Sequence, residues 1–124
     1  MMPHRMHTNL VYAAYGWLVF IGTGHFAVDV VSQYLRGKHP PGVEVSLYYG
    51  LHSAYALGQV VFGILALWIA SHSVKLLDQW TAVMVSLAAT SGWVVIGFLF
   101  MEHWEPKVAV AAFGLLVIAA AATA

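Results

Sequence analysis

The chain has 124 residues, of which 61% are hydrophobic and only 8% are charged. A soluble domain carries about 25% charged residues, so this composition excludes a water-soluble fold and places the chain in a lipid bilayer. There is no cysteine, which excludes disulfides, thiolate metal sites and thiol nucleophiles, and the formal net charge of zero gives no electrostatic case for nucleic acid.

Taken in order, the chain opens on a short tail, MMPHRMHTN, which lacks the features of a cleavable signal peptide. Four apolar segments follow, over about 10–33, 46–70, 76–101 and 107–124. Each is close to the roughly 20 residues that cross a hydrocarbon core. Backbone groups in hydrocarbon must satisfy one another within the segment, so all four are expected to be helices. The expected fold is therefore all-α: one integral membrane domain over 1–124, a multi-pass four-helix bundle with both termini on the same side. Pro40, Pro41 and Gly42 break the chain between the first two spans, 71–75 is expected to be a tight turn, and Pro106 suits the first turn of the fourth helix. Trp68, Trp80 and Trp104 fall near helix ends, where indoles favour the interface, whereas Trp17 and Trp93 fall deeper.

The first span carries His25 and Asp29 at i, i+4, with Gly22 and Ser32 on the same face. A carboxylate at this depth is costly, so Asp29 should face protein or water. The pair reads either as a proton relay or brace behind a cofactor, or as two groups that satisfy each other.

The second span carries His52, with Tyr48, Tyr55 and Gln59 on the same helix face and Gly50, Ala54 and Gly58 on the opposite one. Neutral imidazole is a common ligand for haem iron and other transition metals. The competing reading is a buried histidine bonded to a carbonyl or a tyrosine. The small residues would let another helix approach closely.

On the third span Ser86, Thr90, Trp93 and Gly97 form a stripe that suits either a pocket or a packing seam, and the fourth has no ionisable group after Lys107. His4 and His7 form a His-x-x-His pair in the tail, and His39, His72 and His103 map to loops. No catalytic serine triad, phosphate-binding glycine loop or H-E-x-x-H pattern is present.

The second span reads His52-Ser53-x-x-Ala56-Leu57, and the third reads Gly92-Trp93-x-x-x-Gly97-Phe98-x-Phe100 before a short polar turn ending in Pro106. These patterns resemble the membrane styrene oxide isomerases and the related four-helix mutases acting on hydroxylaminobenzene. The resemblance covers His52 to Pro106, and the first helix by topology only. It implies a homotrimer in a bacterial inner membrane, with haem b between protomers and the histidine opening the second helix, here His52, as axial ligand of the iron. Tyr48 and Trp93 would then lie beside the cofactor, with His25 and Asp29 behind it. The activity implied is Lewis-acid isomerisation of a small hydrophobic substrate, epoxide to aldehyde, without net redox change. Two positions depart from the family: an expected asparagine is Gly58 and an expected tyrosine is Leu99. Tyr55 and Gln59, on the His52 face, are the candidates to orient substrate in their place. The alternatives are a haem protein without catalysis, such as a gas or redox sensor or a haem carrier, and a structural membrane protein with no cofactor.

Overall fold

The structure is a computed structural model and describes residues 2–124, with side chains from residue 4 onward. It is all-α, with no strand among the described residues. The elements are α1 (Met2–Phe26), a π-helical turn (Ala27–Ser32), α2 (Gln33–Leu35), α3 (Val43–His72), α4 (Val74–Leu77), α5 (Trp80–Phe100) and α6 (Glu105–Ala122). Four stretches, His4–Leu35, Val43–His72, Trp80–Phe100 and Glu105–Ala122, are long and apolar enough to cross a bilayer. The chain is a multi-pass membrane protein.

The helix ends follow local chemistry. After α2 the backbone N–H of Gly37 bonds to the Tyr34 carbonyl at 3.1 Å, and that of Lys38 to Gln33 at 3.2 Å. This is a Schellman closure, and it needs the left-handed backbone that Gly37 supplies at φ 60°. Pro40 and Pro41 then keep the connection non-helical until α3 begins at Val43. Between α3 and α5 the expected tight turn is instead an extended Ser73, the short α4, and a second extended residue, Gln79. The third span accordingly begins at Trp80 rather than near 76.

The N-terminal segment differs more. It is helical from Met2, a continuation of α1, and His7 within it is only 5% exposed. At that end of the bundle His7 Nδ1 lies 3.0 Å from Thr123 Oγ1, and His7 Nε2 lies 2.8 Å from Asp78 Oδ1. The Thr123 hydroxyl donates to the Ala120 carbonyl, so it accepts from the His7 Nδ1–H. The Asp78 contact has the distance of an ion pair but lies outside hydrogen-bond geometry. The chain's beginning, the α4–α5 connection and the end of α6 thus meet at one side of the bundle.

Helix α1 is the spine. It packs against α3 and against α6, and α5 packs against α6. The core between them holds Leu18, Val11, Ala14, Tyr15, Phe113 and Val117. The α1–α3 contact is close because of glycine: a Cβ at Gly63 would stand 2.6 Å from Val19 Cγ2 and 2.9 Å from the Tyr15 carbonyl oxygen, and one at Gly22 would stand 2.9 Å from Val60 Cγ2. Small residues permit such approach in lipid, where packing replaces the hydrophobic drive. On the other side of α3, Gly50 and Ala54 face outward, unpartnered within the chain. Trp93 fills the space between α3 and α5, its ring edge-on to Phe62 at 5.8 Å and beside Gly58. Trp68, Trp80 and Trp104 are all exposed, as expected of residues at a lipid interface.

Candidate metal centre

Two histidines 27 positions apart in sequence meet between α1 and α3. His25 Nε2 lies 2.8 Å from His52 Nδ1, and the two rings stack with centroids 5.0 Å apart. His25 Nδ1 in turn lies 2.9 Å from Asp29 Oδ2. Asp29 sits in the π-helical turn. The wider turn brings residues four apart closer to alignment than an α-helix does, so Asp29 stands under His25. Both histidines are buried, at 8% and 6% exposure.

The proton positions follow from the acceptor at the end of the row. A carboxylate only accepts, so His25 Nδ1 carries a hydrogen and donates it to Asp29. With His25 neutral its Nε2 is a lone pair, and His52 Nδ1–H donates to it. His52 Nε2 is then also a lone pair, free of any partner among the described residues. A histidine that only filled the core would turn both nitrogens to protein groups. This one has one nitrogen fixed from behind and one left over, which is how metal-ligating histidines are commonly held.

His52 lines a pocket of about 280 Å³ together with His25, Asp29, His39, Tyr48 and residues 100–103. A second pocket, of about 420 Å³, shares His25, Asp29, Gln33, His103 and Pro106 with the first and continues along Phe20, Gly24, Val28 and Ala109. Its outer wall is apolar and faces lipid, with Phe20 and Val28 more than half exposed. One donor atom from each of His25, Asp29 and His52 lies within 4.8 Å of the other two.

Compared with family models, with curated proteins and with solved structures, the chain matches none. The site therefore stands on its own geometry.

Among the residues singled out from sequence, the fold brings His25, Asp29, His52 and Tyr48 together. The Tyr48 ring centroid is 4.3 Å from that of His52. Tyr55 and Gln59 share the buried face of α3 but do not line the His52 pocket. They line a cavity of about 20 Å³ with Ile21, His25, Pro106, Ala109 and Val110. The Tyr55 hydroxyl and Gln59 Nε2 have no hydrogen-bond partner there. Trp93 stands against Phe62, Phe113 and Gly58, apart from both pockets. Leu99 faces outward, 68% exposed. Two pocket residues were expected only as loop histidines: His39, whose ring lies 4.4 Å from Tyr48, and His103. Clustering of histidines near the ends that flank His25 and His52 was the available signal for them.

Proposed function

We propose that the chain is a membrane haem b protein in which His52 is the axial ligand through Nε2, and that it isomerises a small hydrophobic substrate such as an epoxide. The observation that carries this is the row Asp29–His25–His52, which holds His52 from behind and leaves one lone pair at a pocket. The donor chemistry suits haem iron, for which neutral imidazole is a usual ligand. Bound there, haem b would supply a Lewis-acidic iron able to polarise an epoxide oxygen.

The chain's own residues would do the rest. His25 and Asp29 fix the plane and tautomer of His52. Tyr48 flanks the imidazole, and Phe100 and Met101 give the otherwise polar lining of that pocket an apolar side. The apolar side of the larger pocket, through Phe20 and Val28, offers a small hydrophobic substrate a way in from the bilayer.

Both pockets are open on one side, so a single chain does not enclose a porphyrin. A second copy would supply the missing wall, and the outward face of Gly50 and Ala54 would let its helix come close. We accordingly propose a homo-oligomer, a trimer by the resemblance of His52–Pro106 to the styrene oxide isomerases, placed in a bacterial inner membrane on the same ground.

The test is an absorption spectrum of detergent-purified protein, followed by turnover assays with epoxides and arylhydroxylamines. A Soret band with epoxide turnover supports the whole proposal. A Soret band with no turnover leaves a haem sensor or carrier, and the lack of a Soret band after haem addition removes the cofactor.

A further inference from the structure

The same three residues have a second property. His25 and His52 offer nitrogens 2.8 Å apart, from two helices held together by the glycine seam, and Asp29 offers a carboxylate within 4.8 Å of both. We infer that Asp29, His25 and His52 bind a divalent first-row transition ion directly, with no porphyrin.

The ligand set decides the class of ion. Two imidazoles and one carboxylate, with the remaining positions open, suit six-coordinate ions such as Fe(II), Mn(II) or Co(II). The spacing agrees. Metal–nitrogen bonds of about 2.05 Å put adjacent ligands about 2.9 Å apart in an octahedron and about 3.3 Å apart in a tetrahedron. The 2.8 Å is the length of the hydrogen bond between the two nitrogens, so the rings need turn but scarcely separate for both lone pairs to meet one ion. Rotation of the Asp29 side chain then brings its oxygen to the ion. His25, Asp29 and His52 all line the 280 Å³ pocket, and so does His39, whose buried Nε2 has no partner among the described residues. His39 is outside the three-residue group and in the same pocket, a further donor should that side chain move.

Binding of the ion has a consequence for His52. The ion takes the Nδ1 lone pair, so the hydrogen that Nδ1 shared with His25 moves to Nε2. A His52 protonated at Nε2 cannot ligate haem iron. Ion and haem therefore compete for opposite nitrogens of one ring. The inference uses the residues of the preceding section but holds whether or not the chain takes up haem.

The experiment uses the full-length chain in detergent, prepared haem-free and chelator-washed, then titrated with Co(II). Expected are one Co(II) per chain and the weak visible bands of a six-coordinate ion. Asp29→Asn, which keeps shape and removes charge, and His25→Gln should each weaken binding ten-fold or more, with helix content unchanged by circular dichroism. His4→Gln, on the exposed side of α1, should leave it unchanged. Haem titrated into the Co(II)-loaded protein should bind at least ten-fold more weakly than into the metal-free protein. No Co(II) uptake at submillimolar concentration, or uptake that survives both Asp29→Asn and His25→Gln, overturns the inference. Uptake of Co(II) by a chain that never takes up haem supports it and sinks the haem proposal. Uptake of haem without Co(II) does the reverse.

Discussion

The bundle has buried histidine at each end, His7 at one and the His25–His52 pair at the other, and the two ends differ in what they leave unused. At the end where the termini meet, His7 Nδ1 donates to Thr123, and its Nε2 faces the Asp78 carboxylate at the 2.8 Å of an ion pair, outside hydrogen-bond geometry. His7 lines none of the pockets described above. At the other end His52 has one nitrogen held by His25 and one spare, and it lines a pocket with three further histidines. Burial alone does not separate them, since both rings are about 5% exposed. His7 is closed in by its neighbours, whereas His52 keeps a lone pair beside open space, which is what the proposed ligand role requires.

The largest effect that tests this contrast is expected from His52→Ala. It should abolish the Soret band, because the proposed haem site needs a strong axial donor and His52 is the ring of the pair that keeps a nitrogen without a partner. The four helices should remain inserted, as read by circular dichroism and protease protection. Full haem content in His52→Ala protein would move the ligand to His25 or remove the site. Asp29→Asn should act in the same direction and more weakly. An asparagine can still hold His25 but without charge, and loss of such a supporting group costs about 10–100-fold in metal affinity. Haem titration of the two variants side by side gives the ratio.

His7→Ala is the matching change at the closed end, and it should have the opposite profile. It leaves Asp78 without its partner at a site that is mostly buried, so stability should fall by about 1–3 kcal/mol. Haem content and the Soret maximum should not change. A loss of haem in His7→Ala protein that remains folded would mean that the two ends are coupled, and the contrast would fail.

The spans and the helical class were legible because hydropathy and length alone determine them in a bilayer. The meeting of His25 with His52 was only half legible. Helical spacing put each on a face with polar neighbours, but nothing local says that the two faces meet at one level. His7 was not legible at all, because its partners Asp78 and Thr123 lie far along the chain. Read from sequence, the first span also began near residue 10, with His7 in a tail ahead of it. The glycines carry the same lesson. Gly50, Ala54 and Gly58 do lie opposite His52, yet the tight seam inside the chain runs through Gly22 and Gly63. Lipid and a neighbouring helix are equally apolar, so a smooth face does not declare which of them it meets.

The smallest effect is expected at Tyr55 and Gln59. The sequence put both on the His52 face as candidates to orient substrate, and the fold places them in a cavity of about 20 Å³ that His52 does not line. The Tyr55 hydroxyl and Gln59 Nε2 have no hydrogen-bond partner among the described residues, although Tyr55 is 4% and Gln59 1% exposed. A buried hydroxyl without a partner carries a desolvation cost of about 1–3 kcal/mol, and a cavity above about 15 Å³ holds one water that can offset it. With that water in place, Tyr55→Phe and Gln59→Leu each remove one of its partners and should shift stability by about 1 kcal/mol or less. Haem content should not move, because neither side chain touches His52 Nε2. Epoxide turnover separates the two roles. A donor aimed at a developing alkoxide contributes about 3 kcal/mol, a rate loss of over a hundred-fold in Tyr55→Phe protein. A water-holding tyrosine behind His25 costs at most a few-fold. A hundred-fold loss with haem retained would show that the cavity opens to the reacting centre during turnover, and would return Tyr55 to the substrate side of the site.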